Sequence, residues 1–202
     1  MNIRERNKSD KRQRILRAAG ELFLEKGFEA TTTREIAARS GVASGTVFLY
    51  ARDKSELLSQ VGGEALVDAI RRGFEAANQA QPLIEQMVVV HRHFFELYAP
   101  VPELARLFMQ QLLTQSDLQV PWYQTMQVEF MSLLQPRFDA AVARGEVRPG
   151  LTSVSFAHCL FGQYVTLLFE WLRSPNPCPK EAVDELRPRF RMVFDGLAAR
   201  EP

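Results

Sequence analysis

Two cysteines and three histidines in 202 residues leave little material for a disulfide framework or a metal centre. Cys159 and Cys178 fit neither a paired-cysteine scaffold nor a metal knuckle, and a reducing compartment is the simplest setting for them. His91 and His93 are two residues apart and diverge on a helix, and the adjacent His158 and Cys159 are no better placed to grip one ion. Nucleophile-elbow, zinc-helix and phosphate-loop patterns are missing. No cofactor is therefore expected. An enzyme built on His91 or His158 lacks, in sequence, the convergent acid, base or metal cluster that it needs.

Long apolar runs are also scarce. The first, Ile15–Leu24, is broken by Arg17 and Glu21 and has no small-residue cleavage site after it, so it does not read as a secretory signal. Thr152–Phe169 carries no formal charge and has the length to cross a bilayer, but Ser153, Ser155, His158, Gln163, Tyr164 and Thr166 make it too polar. It is expected to be a buried interface helix in a cytoplasmic protein with no membrane partner. Alternating strand patterns are missing as well, whereas helical periodicity runs nearly everywhere, so the fold class is all-α.

The 46% hydrophobic composition can bury a real core as one large domain or as a small and a medium one. A net charge of +1 from 25 basic and 24 acidic residues does not by itself suggest a nucleic-acid partner. The distribution does. Residues 1–17 hold Arg4, Arg6, Lys8, Lys11, Arg12, Arg14 and Arg17 against Glu5 and Asp10, which leaves +5 there and −4 on the rest of the chain. The arm at Arg4–Arg14 reads either as a tracker of phosphates or the minor groove, or as a solubilising tail.

The periodicity predicts a first helix over 10–26, with Ile15, Ala19, Leu22 and Phe23 on one face and Gly27 as its stop. Thr32 and Glu35 have the spacing of a capping box, opening a short helix that ends at Gly41. Asp53 caps a longer helix carrying Leu57, Leu58, Val61, Leu66, Ile70 and Phe74 on its buried side. Further helices are expected over 82–98, 102–113, 121–144, 152–173 and 180–199, separated by proline and glycine turns. Pro188 should kink the last helix or start a new one.

The strongest local signal runs from Thr33 to Tyr50. Two helices crossing steeply over a short turn need a small residue where they touch, a permissive residue in the turn and apolar wedges on both sides. Ala37, Gly41, Ile36 and Val47 supply these, and Val42 can plug the underside. An ordinary helix hairpin would ask for similar residues, but here a basic arm precedes the turn and a helix of DNA-facing composition follows.

Residues 10–58 resemble the DNA-binding domain of the TetR-type (TetR/AcrR) regulators. The matching positions are Lys26-Gly27-Phe28, Ala30-Thr31-Thr32, Ile36-Ala37, Gly41-Val42, Gly45-Thr46-Val47-Phe48-Leu49-Tyr50 and Lys54-Ser55-Glu56-Leu57-Leu58. Four positions depart from the pattern: Ala43, Phe48, Leu49 and Ala51 stand where serine, tyrosine, histidine and phenylalanine are common. Leu49 forgoes a polar base contact, though an aliphatic group can still touch a thymine methyl. The resemblance implies a three-helix N-terminal DNA-binding domain with a helix-turn-helix (1–52), a connecting helix (53–75), and a larger helical ligand-binding and dimerisation domain (76–202). It further implies a homodimer that binds a double-stranded DNA operator and a repressor released by a small apolar or amphipathic ligand. A helix-turn-helix protein that binds DNA constitutively is the alternative.

Residue chemistry then divides the work. Hydroxyls, helix N-termini and an ammonium group suit phosphates, which selects Thr32, Thr33, Thr46, Tyr50 and Lys54. Ser44, Gly45 and Leu49, with Phe48 beside them, lie at the reading face of the second helix, and Arg34 reaches from the preceding one. Arg34 and Arg39 read equally well as solvated surface cations. For the ligand, the adaptable and aromatic residues Met87, His91, Phe94, Tyr98, Phe108, Met109, Trp122, Met126, Phe130, Phe161 and Tyr164 are the candidates, many of them core. Glu129 reads either as a counter-charge for a cationic ligand or as a carboxylate at the edge of an apolar face, and His91 as a core histidine or a pocket hydrogen-bonder. Helices 152–173 and 180–199 are the candidate dimer interface, with Gly162 allowing close approach. Gly62-Gly63 inside the connecting helix calls for an explanation: close packing, or a soft point that transmits ligand binding.

Overall fold

The computed structural model describes residues 3–114 and 121–197, with side chains placed for 5–112 and 121–195. The side chain of Arg4 in the basic arm and residues 198–199 of the expected last helix therefore lie outside what is described. Among the described residues every regular element is a helix: α1 Ile3–Lys26, α2 Thr33–Ser40, α3 Ser44–Val47, α4 Lys54–Ala76, α5 Leu83–Tyr98, α6 Pro102–Thr114, α7 Pro121–Ala143, α8 Ser153–Leu172 and α9 Pro179–Leu197. They form two compact units, divided within α4 between Glu64 and Ala65.

The first unit holds α1–α3, the start of α4, and α6. Its helix α1 begins at Ile3, several residues ahead of the expected start, because Arg, Glu, Lys and Gln lose little rotamer freedom in a helix and the charged arm simply continues it. Ile15, Leu16, Ala19, Leu22 and Phe23 of α1 form a core with Ile36 and Ala37 of α2, Val47 of α3, and Leu57 and Leu58 of α4. Leu104 and Leu107 of α6 pack against its margin. Arg12 fastens α1 to α4 through Glu64 at 2.7 Å and Gln60 at 3.0 Å.

The second unit holds the remainder of α4, α5 and α7–α9. Helix α9 packs on α5 and α8, and α7 on α8 and α5. Phe74, Leu83, Met87, Phe95, Leu134, Phe156, Leu160 and Phe190 fill the interior. Gly73 lets α4 lie directly on α5, since a Cβ there would stand 2.9 Å from the Val90 Cα. Arg137 of α7 donates to the Phe74 carbonyl at 2.7 Å and lies over the Phe74 ring, satisfying one of the acceptors that the last turn of α4 leaves open.

Of the two expectations for Pro188, a kink in the last helix or the start of a new one, the second is corrected here. Pro188 does not divide the last helix, for α9 runs unbroken from Pro179 to Leu197. The same holds for Pro136 inside α7. Each proline faces solvent between two buried residues on the opposite face, Leu186 and Phe190 in one case and Leu134 and Phe138 in the other. An internal proline costs about 3 kcal/mol, and burying two such side chains returns about 1.5–3 kcal/mol each, so continuing the helix wins. None of the described helices is long and apolar enough to cross a membrane.

Candidate nucleic-acid interface

The α2 helix is fixed at both ends by its own sequence. Thr32 accepts the Glu35 amide at 3.2 Å, and the Glu35 carboxylate takes the Thr32 amide at 2.9 Å, completing the capping box. Lys26 also binds that carboxylate, at 2.5 Å, and the ammonium and the Thr32 groups together hold the Glu35 carboxyl down to about 2. At the other end Gly41 takes the left-handed conformation, φ 67°, and the Val42 amide returns to the Ala37 carbonyl at 3.0 Å. This tight closure aims α3 away from α2.

Helix α3 is one turn long and is prolonged by tighter turns, Leu49 N–H to Thr46 O at 3.1 Å and Tyr50 N–H to Val47 O at 2.9 Å. Val47 is sunk in the core, which leaves Ser44, Gly45, Phe48 and Leu49 facing solvent. Thr46 and Tyr50 are half-buried, as is Thr33, while Arg34 is exposed. The hydroxyl of Thr32 is engaged by the cap. Lys54 donates to the carbonyls of Phe28 at 2.6 Å and Glu29 at 3.2 Å and sits 4.3 Å from the centre of the Phe28 ring. Arg39 is drawn onto Glu25 at 2.6 Å. Those two ties escape sequence reasoning, because residues 25–29 and 39–54 meet only once Gly27, at φ 83°, has ended α1.

Within the second unit His91 stands inside a ring of aromatics, 4.9 Å from Phe190, 5.1 Å from Phe94 and Tyr164 and 6.3 Å from Phe130, all edge to face. Burial pushes its pKa down to about 4, and its Nδ1–H donates to the Met87 carbonyl at 2.7 Å, so the ring is neutral. Tyr164 and Tyr98 are buried phenols set against each other, both held far from ionisation by desolvation. The Tyr164 hydroxyl faces the Tyr98 hydroxyl without a well-aligned hydrogen bond. Met87, His91, Phe94, Tyr98 and Tyr164 thus come together, with Phe130 half-buried beside them.

Other candidate ligand residues fall elsewhere. Phe108 and Met109 belong to α6 in the first unit. Phe161 is 49% exposed on α8. Trp122 is buried and Met126 half-buried on α7. Glu129 is held bidentately by Arg71, at 2.8 and 3.2 Å, which lowers its carboxyl pKa. Among the described residues no group of three or more His, Cys, Asp or Glu side chains is placed to hold a metal ion.

Comparison with known proteins bears on the first unit most directly. Residues 15–61 match the profile of the bacterial regulatory proteins of the tetR family. Two relatives from Bacillus subtilis (strain 168) match over most of their length. The HTH-type transcriptional regulator YhgD is 24% identical over 193 residues, spanning 94% of this chain and 98% of the relative. The fatty acid metabolism regulator protein is 26% identical over 168 residues, spanning 83% and 86%. The crystal structure of Thermus thermophilus FadR, a TetR-family transcriptional repressor in complex with lauroyl-CoA, superposes with a TM-score of 0.73 at 24% identity, covering 95% of this chain and 97% of that one. The capped α2, the left-handed turn at Gly41, the solvent-facing α3 and the matching profile lead to one conclusion: residues 15–61 form a TetR-type helix-turn-helix, in a chain similar over most of its length to regulators of transcription.

Proposed function

We propose that this regulator is a cytoplasmic repressor that grips a two-fold operator as a homodimer and lets go when a long-chain acyl ligand, of the acyl-CoA thioester class, enters its larger domain. The observation that carries the ligand reading is the Tyr164 hydroxyl, buried among rings with the Tyr98 hydroxyl as its one polar neighbour and no well-aligned hydrogen bond. A ligand carbonyl that accepts from it in good geometry would add about 0.5–1.5 kcal/mol. The acyl-CoA class is suggested by the FadR neighbour, which was solved with lauroyl-CoA.

The functional division follows the chain: residues 1–52 bind DNA, 53–75 connect, and 76–202 sense the ligand and dimerise. Thr33, Thr46, Tyr50 and Lys54 hold phosphates, while Ser44, Gly45, Leu49 and Arg34 face the bases. Dimerisation is assigned to α8 and α9. Val154 and Phe161 are each 49% exposed on α8 and Met192 is 67% exposed on α9, an apolar outlay that a partner copy would cover. Nothing lies within 4 Å of a Cβ built on Gly162, so a second helix has room to approach it.

The test is an operator gel shift titrated with acyl-CoAs from eight to eighteen carbons, with free CoA as the control. Release by one range of chain lengths and not by CoA is the expected result. Retention of DNA at every chain length, together with no rise in thermal stability, overturns the ligand reading and leaves a constitutive binder.

A further inference from the structure

Leu49 is the most exposed large apolar side chain among the described residues, 77% open to solvent, and its neighbour Phe48 is 55% open. Isolated exposed apolar groups, such as Leu24 or Val128, are ordinary on a protein surface. An adjacent pair on the reading element of a DNA-binding protein is not. The pair is held in place by the amide of Leu49 on the Thr46 carbonyl and by the burial of Val47 between them and the core.

The same element is short of the usual reading groups. Residues 43–51 run Ala-Ser-Gly-Thr-Val-Phe-Leu-Tyr-Ala, with no arginine, lysine, asparagine or glutamine to make a bidentate contact with guanine or adenine. Three of the nearby cations are engaged inside the protein: Arg39 with Glu25, Arg52 with Glu56, and Lys54 with the carbonyls of Phe28 and Glu29. Arg34, on the preceding helix, carries no such tie. What α3 brings to a major groove is therefore two small hydroxyls and two hydrocarbons. The hydrocarbon on that edge of a base pair is the C5 methyl of thymine.

We propose that Leu49, with Phe48 beside it, reads thymine methyl groups, so that this protein recognises its operator largely through hydrocarbon contact. The inference rests on the DNA-binding reading and is independent of the ligand. It separates this chain from readers that specify sequence by bidentate hydrogen bonds, because a methyl contact discriminates through lost surface and not through an unpaired donor.

Replacing thymine by deoxyuridine deletes the methyl and leaves every hydrogen-bonding edge intact. With the full-length protein and an operator selected from random duplexes, each thymine is replaced in turn and the affinity measured. A loss of roughly fourfold is expected at one or two positions in each half-site, the worth of one buried methyl group. Leu49→Ala, a change at the surface, should bind the thymine operator more weakly and show no further loss on the deoxyuridine duplexes at those positions. Equal affinity for every deoxyuridine duplex overturns the proposal, and so does a Leu49→Ala protein that keeps the wild-type pattern. If no duplex is bound even at low salt, the DNA-binding reading itself has failed, an outcome distinct from both.

Discussion

Gly62 and Phe108 touch so closely that no side chain fits between them: a Cβ on Gly62 would lie 2.6 Å from Cδ2 and 2.8 Å from Cε2 of the Phe108 ring. The ring is itself buried. Of the two accounts of the glycines in the connecting helix, close packing is what the structure presents at Gly62. Gly62→Ala should therefore destabilise the protein by about 1–3 kcal/mol through overpacking, less about 1 kcal/mol returned by alanine's helix propensity. Adding Phe108→Leu should recover part of the loss, giving a double-mutant coupling that urea denaturation measures. A Gly62→Ala protein stabilised by its full helix propensity would sink this account.

His91 gives the stability a pH dependence with a definite sign. Its pKa is about 4 when folded and near 6.5 when the chain is open, so below about pH 6.5 the unfolded state binds the extra proton. Stability should fall as the pH drops from 6.5 towards 4, by up to ~3 kcal/mol from this group, and be fully present above that window. His91→Phe, which keeps an aromatic ring among Phe94, Tyr164 and Phe190, should flatten that segment of the profile. Unchanged slopes in the two proteins between pH 4 and 6.5 would place the titration elsewhere.

Much of the DNA-binding unit was legible in the sequence because its signals are local. Thr32 and Glu35 cap by spacing, Gly41 turns by its missing Cβ, and Ile36 and Val47 have one apolar side each; all stand as expected. The eastward limits of such reading are long-range contacts. That Arg39 would turn to Glu25, or Glu129 to Arg71, depends on segments that approach only after folding. Pro188 misled for a related reason, since the local rule against proline in a helix was outweighed by the burial of Leu186 and Phe190. Among the aromatic residues the sequence offered no ranking, because Phe161 and Phe94 look alike until one is exposed and the other is enclosed.

Tyr164→Phe separates stability from ligand recognition. Removing a hydroxyl whose one polar neighbour is the poorly aligned Tyr98 hydroxyl should leave the protein about as stable as before. Operator affinity should be unchanged, since Tyr164 lies in α8, far along the chain from α3. The concentration of acyl-CoA needed for release should rise about tenfold, the loss expected for one hydrogen bond to a ligand acceptor. A destabilised Tyr164→Phe protein would mean that the hydroxyl is engaged in the free molecule.

Lys54 tests how one ammonium group serves both the protein and the DNA. Two of its three N–H groups are directed to the Phe28 and Glu29 carbonyls, which leaves one for a phosphate. Its stem and charge also lie against the Phe28 ring, so alanine would remove packing as well as charge. Lys54→Met is the sharper probe, because it keeps the hydrocarbon and deletes the cation. The expected stability loss is about 1 kcal/mol, from two carbonyls left to solvent at a partly exposed site. Affinity should fall alike for the operator and for unrelated duplexes, and the slope of log K against log salt should shrink by about 0.9, the worth of one neutralised phosphate. A slope that stays at the wild-type value, with the stability loss present, would make Lys54 an internal fastener of the α1–α2 turn and pass the phosphate contact to Thr33, Thr46 and Tyr50 alone.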